Sequence, residues 1–476
     1  MINTDTNQEM NVYKKTLLHY IPGVLIPAFT NIFLTLGLAR ILSVDLYGDY
    51  AYYLSVATLL TSIFSQWLVQ SIQRFNSTEG KKPVYQLTIK LIITLFASLH
   101  ILSSFVYGVV LFNSNFQDSA FSIILSVIML FTAQSLTSIK VALYATNYKA
   151  ENIKALNIKQ ATFKSLAVLL YLILFNDYQI SHLFSVIGIV VFVNICLEIS
   201  KTENVGLLFL KQLKALLKGR GFNSYSVLRY IKFLLAYGLP MTGWFIGTNL
   251  LNVGDRIVLQ SFMSSADVGI YSANYVLVST GIGLLVSPLL QTAHPIIMNY
   301  GQNNISNKAA IESFVEKLSR RYLMVSIFIV VNMFIYYEKI SLLLFGAEYQ
   351  SGAVIIPLTL IGIFFWNYSM YGHKGLELSK KPLTMMKFVL VCAVINLLLN
   401  LLFIPLLGIV GAGISTVIAY ISYSIMVKIN SKQHINWIIN YKFILKYSFL
   451  IMICSYLISP MVNYILNHLI KIINGF

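Results

Sequence analysis

The chain has 476 residues, 57% of them hydrophobic and only 11% charged, yet its 34 lysines and arginines outnumber 17 acidic residues for a formal net charge of +17. A pI near 9.5 would suit a nucleic-acid binder, but a mean hydropathy of +0.74 and repeated apolar runs of roughly the 20 residues that cross a bilayer exclude that class. No nucleic-acid partner is expected.

In chain order the apolar runs fall at 16–39, 50–72, 88–112, 119–146, 160–176, 181–199, 232–262, 268–292, 322–345, 353–373, 384–406, 409–427, 444–459 and, weakest, 461–474. The expected fold is therefore all-α: a polytopic integral membrane protein of about 14 transmembrane helices. Thirty of the 34 basic residues occupy every second gap, and gaps such as 112–119, 175–181 and 404–408 hold none. By the positive-inside rule this alternation predicts an even number of spans with the N- and C-termini both cytoplasmic. Lys339 is the one basic residue placed clearly in an outside loop, and Lys471 is counted inside. No cleavable leader is expected, because the first dozen residues are polar and the first apolar run is too long. Cys196, Cys392 and Cys454 all fall in apolar spans and suggest packing rather than disulfides.

The longest polar gap lies near the middle and divides the chain into an N-terminal six-helix bundle at 1–199, a cytoplasmic linker at 200–231, a C-terminal six-helix bundle at 232–430, and two additional helices at 431–476. Within the linker, KQLKALLKGR interleaves basic residues with leucines, which fits a linker whose lysines merely hold topology better than an interfacial helix. The two halves also echo each other. Arg40-Ile41 and Arg256-Ile257 each precede a short connector and a Gly-x-Tyr, so that Gly48 and Tyr50 correspond to Gly269 and Tyr271. Repeated halves are common in secondary transporters, whose substrate path lies between them.

Three stretches carry a family resemblance: ARILSVDLYGDYAYY at 39–53, YGLPMTGWFIGTNLLNVGDRIVLQSFMSSADVGIYSANY at 237–275, and IPLLGIVGAGISTVIAY at 404–420. They resemble the bacterial polysaccharide biosynthesis and export flippases, of the superfamily of multidrug, oligosaccharidyl-lipid and polysaccharide exporters. That resemblance implies two pseudo-symmetric six-helix bundles around a central cavity, with two extra C-terminal helices, in the bacterial plasma (inner) membrane. It also implies a substrate: an oligosaccharide repeat unit on undecaprenyl diphosphate, turned to the outer leaflet by alternating access for O-antigen, capsule or exopolysaccharide synthesis. Partners would be the lipid-linked oligosaccharide, membrane lipids, and a polymerase and glycosyltransferases.

An anionic headgroup needs cations and polar groups in a wet path, because unaided passage through hydrocarbon leaves its charge and hydrogen bonds uncompensated. Setting aside the topological lysines leaves three candidate cations, Arg40, Lys140 and Arg256. Arg256 shares a helix face with Asn249, Asn252 and Gln260; snorkelling or pairing with Asp255 is its alternative. A second polar stripe runs through Ser62, Gln66, Gln70 and Arg74, suited to sugar hydroxyls or to helix–helix adhesion. Asn396 and Asn400 repeat that pattern. Asp255 is a candidate for orienting Arg256 or for taking up a coupling ion, H+ or Na+; His373, Lys374 and Glu377 form a candidate gate or relay. His19, His100 and His294 stand singly, without the spacing of metal ligands, and no metal or other cofactor is expected. Pro22 and Pro27 would loosen the first helix.

No G-x-x-x-x-G-K-[ST] occurs, which excludes a built-in ATPase of that kind. A membrane glycosyltransferase or polymerase would need larger outside loops than these. A cation-coupled drug exporter of the same superfamily would favour an acidic cavity, whereas the candidate buried charges here are mostly basic. The chain thus reads as a transporter rather than an enzyme.

Overall fold

The computed structural model describes residues 25–111, 119–175, 177–200, 224–281, 297–298, 308–379, 381–432, 435–437 and 439–474. The 211–220 stretch, Pro22, His19 and His294 lie outside these. Among the described residues there is no β-strand. The helices are α1 (Leu25–Ile41), α2 (Val44–Glu79), α3 (Pro83–Leu111), α4 (Ala120–Thr146), α5 (Ala150–Leu174), α6 (Ile180–Ser200), α7 (Ser224–Phe262) and α8, described over 265–281. They continue with α9 (Lys308–Phe345), a 3-10 turn at Ala347–Gly352, α10 (Ile355–Gly372), the short α11 (Lys374–Leu378), α12 (Pro382–Leu407), α13 (Ile409–Ser431) and α14 (Tyr441–Asn474). Among the described residues nine spans are long and apolar enough to cross a membrane, so the protein is an all-α polytopic membrane protein.

Helix limits follow local chemistry. Ser119 caps α4, its hydroxyl accepting from the Ser122 amide at 3.3 Å, a means of satisfying a first-turn donor. Pro83 opens α3, where a missing amide hydrogen is harmless. Gly408, at φ +59°, turns α12 into α13 with a left-handed backbone that a side chain would resist.

The helices outrun their apolar cores. α5 begins at Ala150 rather than near 160, α7 at Ser224 rather than 232, and α9 at Lys308 rather than 322. Hydropathy marks the part of a helix in hydrocarbon; its hydrogen bonds continue for several turns beyond.

The chain divides into two compact units, Tyr52–Asn249 and Met1–Ala51 with Leu250–Phe476, and the division passes inside α2 and α7. In the Tyr52–Asn249 unit α4 is central, packed against α3, α5 and α6. Leu136, Tyr144, Leu156 and Ile195 form one core cluster, and Leu68, Ile72, Tyr85, Ile89, Ile139 and Leu234 belong to another. Gly188 lets α6 approach α4: a Cβ there would lie 3.1 Å from Met129 Cβ. His100 is buried in this packing, with Nδ1 3.0 Å from the Met129 carbonyl and its ring stacked 4.0 Å from Phe192.

In the other unit α13 packs against α10 and α12, and α14 against α9. Gly48 of α2 and Gly269 of α8 meet backbone to backbone: a Cβ on Gly48 would lie 2.9 Å from the Gly269 amide nitrogen, and one on Gly269 would lie 3.1 Å from that of Gly48. The glycines paired by the internal repeat are thus packed against each other. Ser265 donates to Asp49 Oδ1 at 2.6 Å beside them.

The expected closing pair, 444–459 and 461–474, is a single helix, α14, of 34 residues with Pro460 inside it. It is about 51 Å long at 1.5 Å per residue, and it continues through the Ser459-Pro460 pair. α14 runs parallel to α9: Arg320 lies 4.5 Å over the Phe443 ring, Ser455 donates to Asn332 at 3.1 Å, and Lys339 donates to Asn463 at 2.9 Å. Lys471 therefore lies at the Lys339 end of α9, not at the basic end to which the sequence count assigned it. Most of α14 faces outward, with Phe449, Tyr456, Leu457 and Tyr464 exposed, as lipid contact requires.

Candidate functional site

In the Tyr52–Asn249 unit a ladder of polar side chains crosses the helices. Asn249 donates to the Ser62 hydroxyl at 2.5 Å, Thr61 and Gln134 bond at 3.0 Å, and Gln160 donates to Thr137 at 3.1 Å. The Gln66 carboxamide oxygen is buried with no hydrogen-bond partner among the described residues. Gln70 is half-buried and Arg74 is exposed. Lys164 belongs to this unit as well. It sits 14 residues into α5, about 21 Å along the helix, a depth far from the loop to which its charge was assigned in the sequence. Gln134, Gln160 and Lys164 are the polar residues that sequence reasoning passed over; for Gln160 and Lys164 the signal was position within α5, whose start hydropathy misplaced.

Lys140 is buried, with its ammonium 4.8 Å over the Tyr144 ring. The Tyr144 hydroxyl donates to Glu198 Oε1 at 2.6 Å, which fixes that ring. Lys140 lines a cavity of about 510 Å³ together with Lys81, Lys90, Lys149, Asn76, Gln86, Asn147 and Tyr85. Among the described residues its lining contains no carboxylate. The nearby Glu79 is engaged by Lys82 at 2.8 Å and by the Tyr230 hydroxyl at 2.6 Å. The hydrogen bond to Glu79 raises the Lys82 ammonium above the ordinary lysine pKa. Three of the four cavity lysines were counted in the sequence as topology signals alone.

The other unit holds Arg256 in an enclosed cluster. Its Nη1 donates to the Asn252 carbonyl at 2.6 Å and lies 3.4 Å from Asp255 Oδ1, and its Nε donates to Ser272 at 3.1 Å. The guanidinium also lies 4.6 Å over the Tyr275 ring. Asp255, fully buried, accepts a further hydrogen bond from the Tyr271 hydroxyl. The Nε and Nη1 groups and one face of the guanidinium are thus engaged from within the unit. The Asn252 side chain accepts from Tyr420 at 3.1 Å, and Gln260 donates to Ser265 at 3.0 Å. Arg40 caps α9: it donates to the Leu344 carbonyl at 3.0 Å and the Leu343 carbonyl at 2.6 Å, where a cation also complements the helix dipole.

His373 links two elements, with Nε2 2.9 Å from the Tyr423 hydroxyl and Nδ1 3.4 Å from Glu377 Oε1. Lys374 bonds both Glu377 oxygens, at 2.8 and 3.0 Å. The sequence grouping of His373, Lys374 and Glu377 is therefore one connected network. Asn396 and Asn400 bond each other at 3.1 Å within α12. Among the described residues no group of three or more His, Cys, Asp or Glu side chains is placed to hold a metal ion.

The fold is shared with solved membrane transporters. The lipid II flippase MurJ, in an inward closed conformation, superposes with a TM-score of 0.68 at 14% identity, covering 95% of this chain and 96% of that one. An inward-facing multidrug resistance MATE family transporter gives 0.63 at 12% identity, covering 88% and 97%. Among curated sequences, an uncharacterized membrane protein of Methanocaldococcus jannaschii is 26% identical over 203 residues, 40% of this chain and 38% of that protein. The family model described as "Polysaccharide biosynthesis protein" matches residues 14–301. The chain belongs to the polysaccharide biosynthesis protein family.

Proposed function

We propose that the protein is a flippase that moves undecaprenyl-diphosphate-linked oligosaccharide repeat units from the cytoplasmic to the outer leaflet of the bacterial plasma membrane by alternating access, for assembly of a surface polysaccharide such as O-antigen, capsule or exopolysaccharide. It is a transporter rather than an enzyme, and its products pass to a polymerase. The observation that carries this reading is the sign of the Lys140 cavity: lysines and amides line it, and among the described residues no carboxylate does. A diphosphate-sugar headgroup is anionic and rich in hydroxyls, so ammonium and carboxamide groups match it. An exporter of cationic drugs would require the opposite sign there. A coupling ion, H+ or Na+, would act in the other unit, at Asp255 or in the His373, Lys374 and Glu377 network.

The test is reconstitution. Proteoliposomes are loaded with a fluorescent undecaprenyl-diphosphate oligosaccharide and, separately, with a cationic dye. Movement of the saccharide lipid without efflux of the dye supports the reading; the reverse overturns it.

A further inference from the structure

We propose that the cleft between the ends of α9 and α14 is a binding site for the headgroup of phosphatidylethanolamine, with Lys339 and Lys471 taking the phosphate and Glu338 the amine. The cavity, about 420 Å³, falls in the size range of small-molecule sites. It lies at the end of α9 that the charge pattern assigns to the outside, and its described lining belongs to the unit that holds both helices. Unlike the Lys140 cavity, this one carries both signs of charge. Glu338 and Lys339 come from α9, Lys471 comes from α14, and the carboxamides of Gln350 and Asn467 add neutral donors and acceptors. The partners that two of these charges already have are neutral: Lys339 donates to the Asn463 carboxamide at 2.9 Å, and Glu338 accepts from the Tyr337 hydroxyl at 3.0 Å. Both bonds orient a charge without cancelling it. Asn463, Asn467 and Lys471 recur at steps of four along α14, which places them on one face of the helix. Lys471 stands about 12 Å beyond Asn463 along the axis. Helical side chains lean toward the N-terminus, so the Lys471 stem reaches back over Asn467 toward the Lys339 ammonium, and a phosphate between the two lysines accepts from both.

The surroundings of the cleft point to a lipid rather than a soluble ion. Tyr464, one residue beyond Asn463, is exposed, as tyrosines at the headgroup level of a membrane are. On the membrane side of the cleft Phe334 and Ile335 of α9 and Met461 and Ile465 of α14 are exposed as well, an apolar surface along which acyl chains can lie. Basic pockets between transmembrane helices are a known way of holding lipid headgroups. The carboxylate decides among those headgroups. An ethanolamine ammonium has three N–H donors and a positive charge for Glu338, a choline has the charge but no N–H, and a glycerol headgroup has hydroxyls and no cation. Two lysines opposite a phosphate and one carboxylate opposite an amine match the first alone. A lipid held in this way adds a link between α9 and α14 beside the Ser455–Asn332 and Lys339–Asn463 bonds, and by mass action it stabilises the folded protein. The site stands whether or not the transport reading does.

The experiment uses the full chain in detergent micelles, stripped of its native lipid and titrated with phosphatidylethanolamine, phosphatidylcholine or phosphatidylglycerol of the same acyl chains, with bound lipid counted by native mass spectrometry. The wild type binds phosphatidylethanolamine at least fivefold more tightly than either of the other two. Lys339→Ala/Lys471→Ala weakens that binding at least tenfold, Glu338→Gln brings it to within twofold of phosphatidylcholine binding, and Lys387→Ala, on an exposed residue of α12, leaves it unchanged. Because the double variant can fail to fold, Lys471→Ala alone, on an exposed residue, is measured in parallel and weakens binding at least threefold. Equal binding of the three lipids by the wild type, tighter binding of phosphatidylcholine or phosphatidylglycerol, binding of phosphatidylethanolamine within twofold of wild type by the folded double variant or by Lys471→Ala, or an undiminished preference in Glu338→Gln would each overturn the proposal.

Discussion

Replacing Gly48 by alanine adds one methyl group where two helix backbones touch. The new Cβ would lie 2.6 Å from the Ser265 carbonyl carbon and 2.9 Å from the Gly269 amide nitrogen, whereas ordinary contact begins at 3.4 Å. The Ser265 carbonyl oxygen lies nearer still, so the start of α2 and α8 must separate by more than the 0.8 Å (3.4 less 2.6) that its carbon alone requires, and the opposing atoms are backbone that no rotamer change can move aside. Overpacking of this kind costs about 3 kcal/mol, the upper end of its usual range. The gain in helix propensity from glycine to alanine offsets about 1 kcal/mol. The net loss of about 2 kcal/mol corresponds to a roughly 30-fold shift toward the unfolded state. Because large membrane proteins unfold irreversibly, the measurement is the half-life of monodisperse protein at a fixed elevated temperature, followed by size-exclusion fluorescence. Gly108→Ala in α3 is the internal standard: nothing lies within 4 Å of its Cβ, so it keeps the propensity gain alone. Gly48→Ala should decay much faster than wild type and Gly108→Ala no faster. Equal lifetimes for the two variants would refute the backbone contact as described.

Asp255→Asn should destabilise the protein by about 3–5 kcal/mol, because it leaves the Arg256 charge buried without its carboxylate; adding Arg256→Met should recover a good part of the loss in the same assay. In a chain with its native cysteines replaced, Lys339→Cys and Lys471→Cys should both be labelled by a membrane-impermeant maleimide from one side of the membrane, since α14 is one helix parallel to α9; labelling from opposite sides would restore the expected closing pair. Lys164→Met should reduce saccharide-lipid translocation at least fivefold while leaving thermal stability unchanged or raised, because an ammonium within the apolar part of α5 is costly to the fold. Unchanged transport would assign it a packing role.

The apolar runs at 119–146 and 181–199 matched α4 and α6 closely, because in those helices the ends of the hydrocarbon segment and of the helix coincide. For α5, α7 and α9 they do not, and the error mattered. Starting α5 at 160 put Lys164 near an interface, and starting α3 at 88 did the same for Lys90. A lysine that fixes topology and one that faces a cavity are the same residue type in the same part of the sequence. Depth and neighbours separate them, and both come from the fold. Pro460 misled in the other direction, since a proline inside a membrane helix bends or loosens it without having to end it. The isolated cations Arg40 and Arg256 were conspicuous in the sequence, but their partners were only half visible there. Asp255 adjoins Arg256, whereas the Leu343 and Leu344 carbonyls that receive Arg40 lie some three hundred residues away. The repeat glycines are the opposite case: the paired Gly-x-Tyr motifs named Gly48 and Gly269, and those residues meet in space.

The account's central claim is that the chain moves an anionic saccharide lipid along a basic path. Its most direct test is the initial rate of undecaprenyl-diphosphate oligosaccharide translocation in proteoliposomes containing wild type, Lys90→Ala/Lys140→Ala or Lys387→Ala protein. The account predicts movement by wild type and Lys387→Ala, and a rate at least tenfold lower for the double variant when equal amounts of folded protein are reconstituted. Wild-type rates from the folded double variant, or no movement by the wild type, would contradict it.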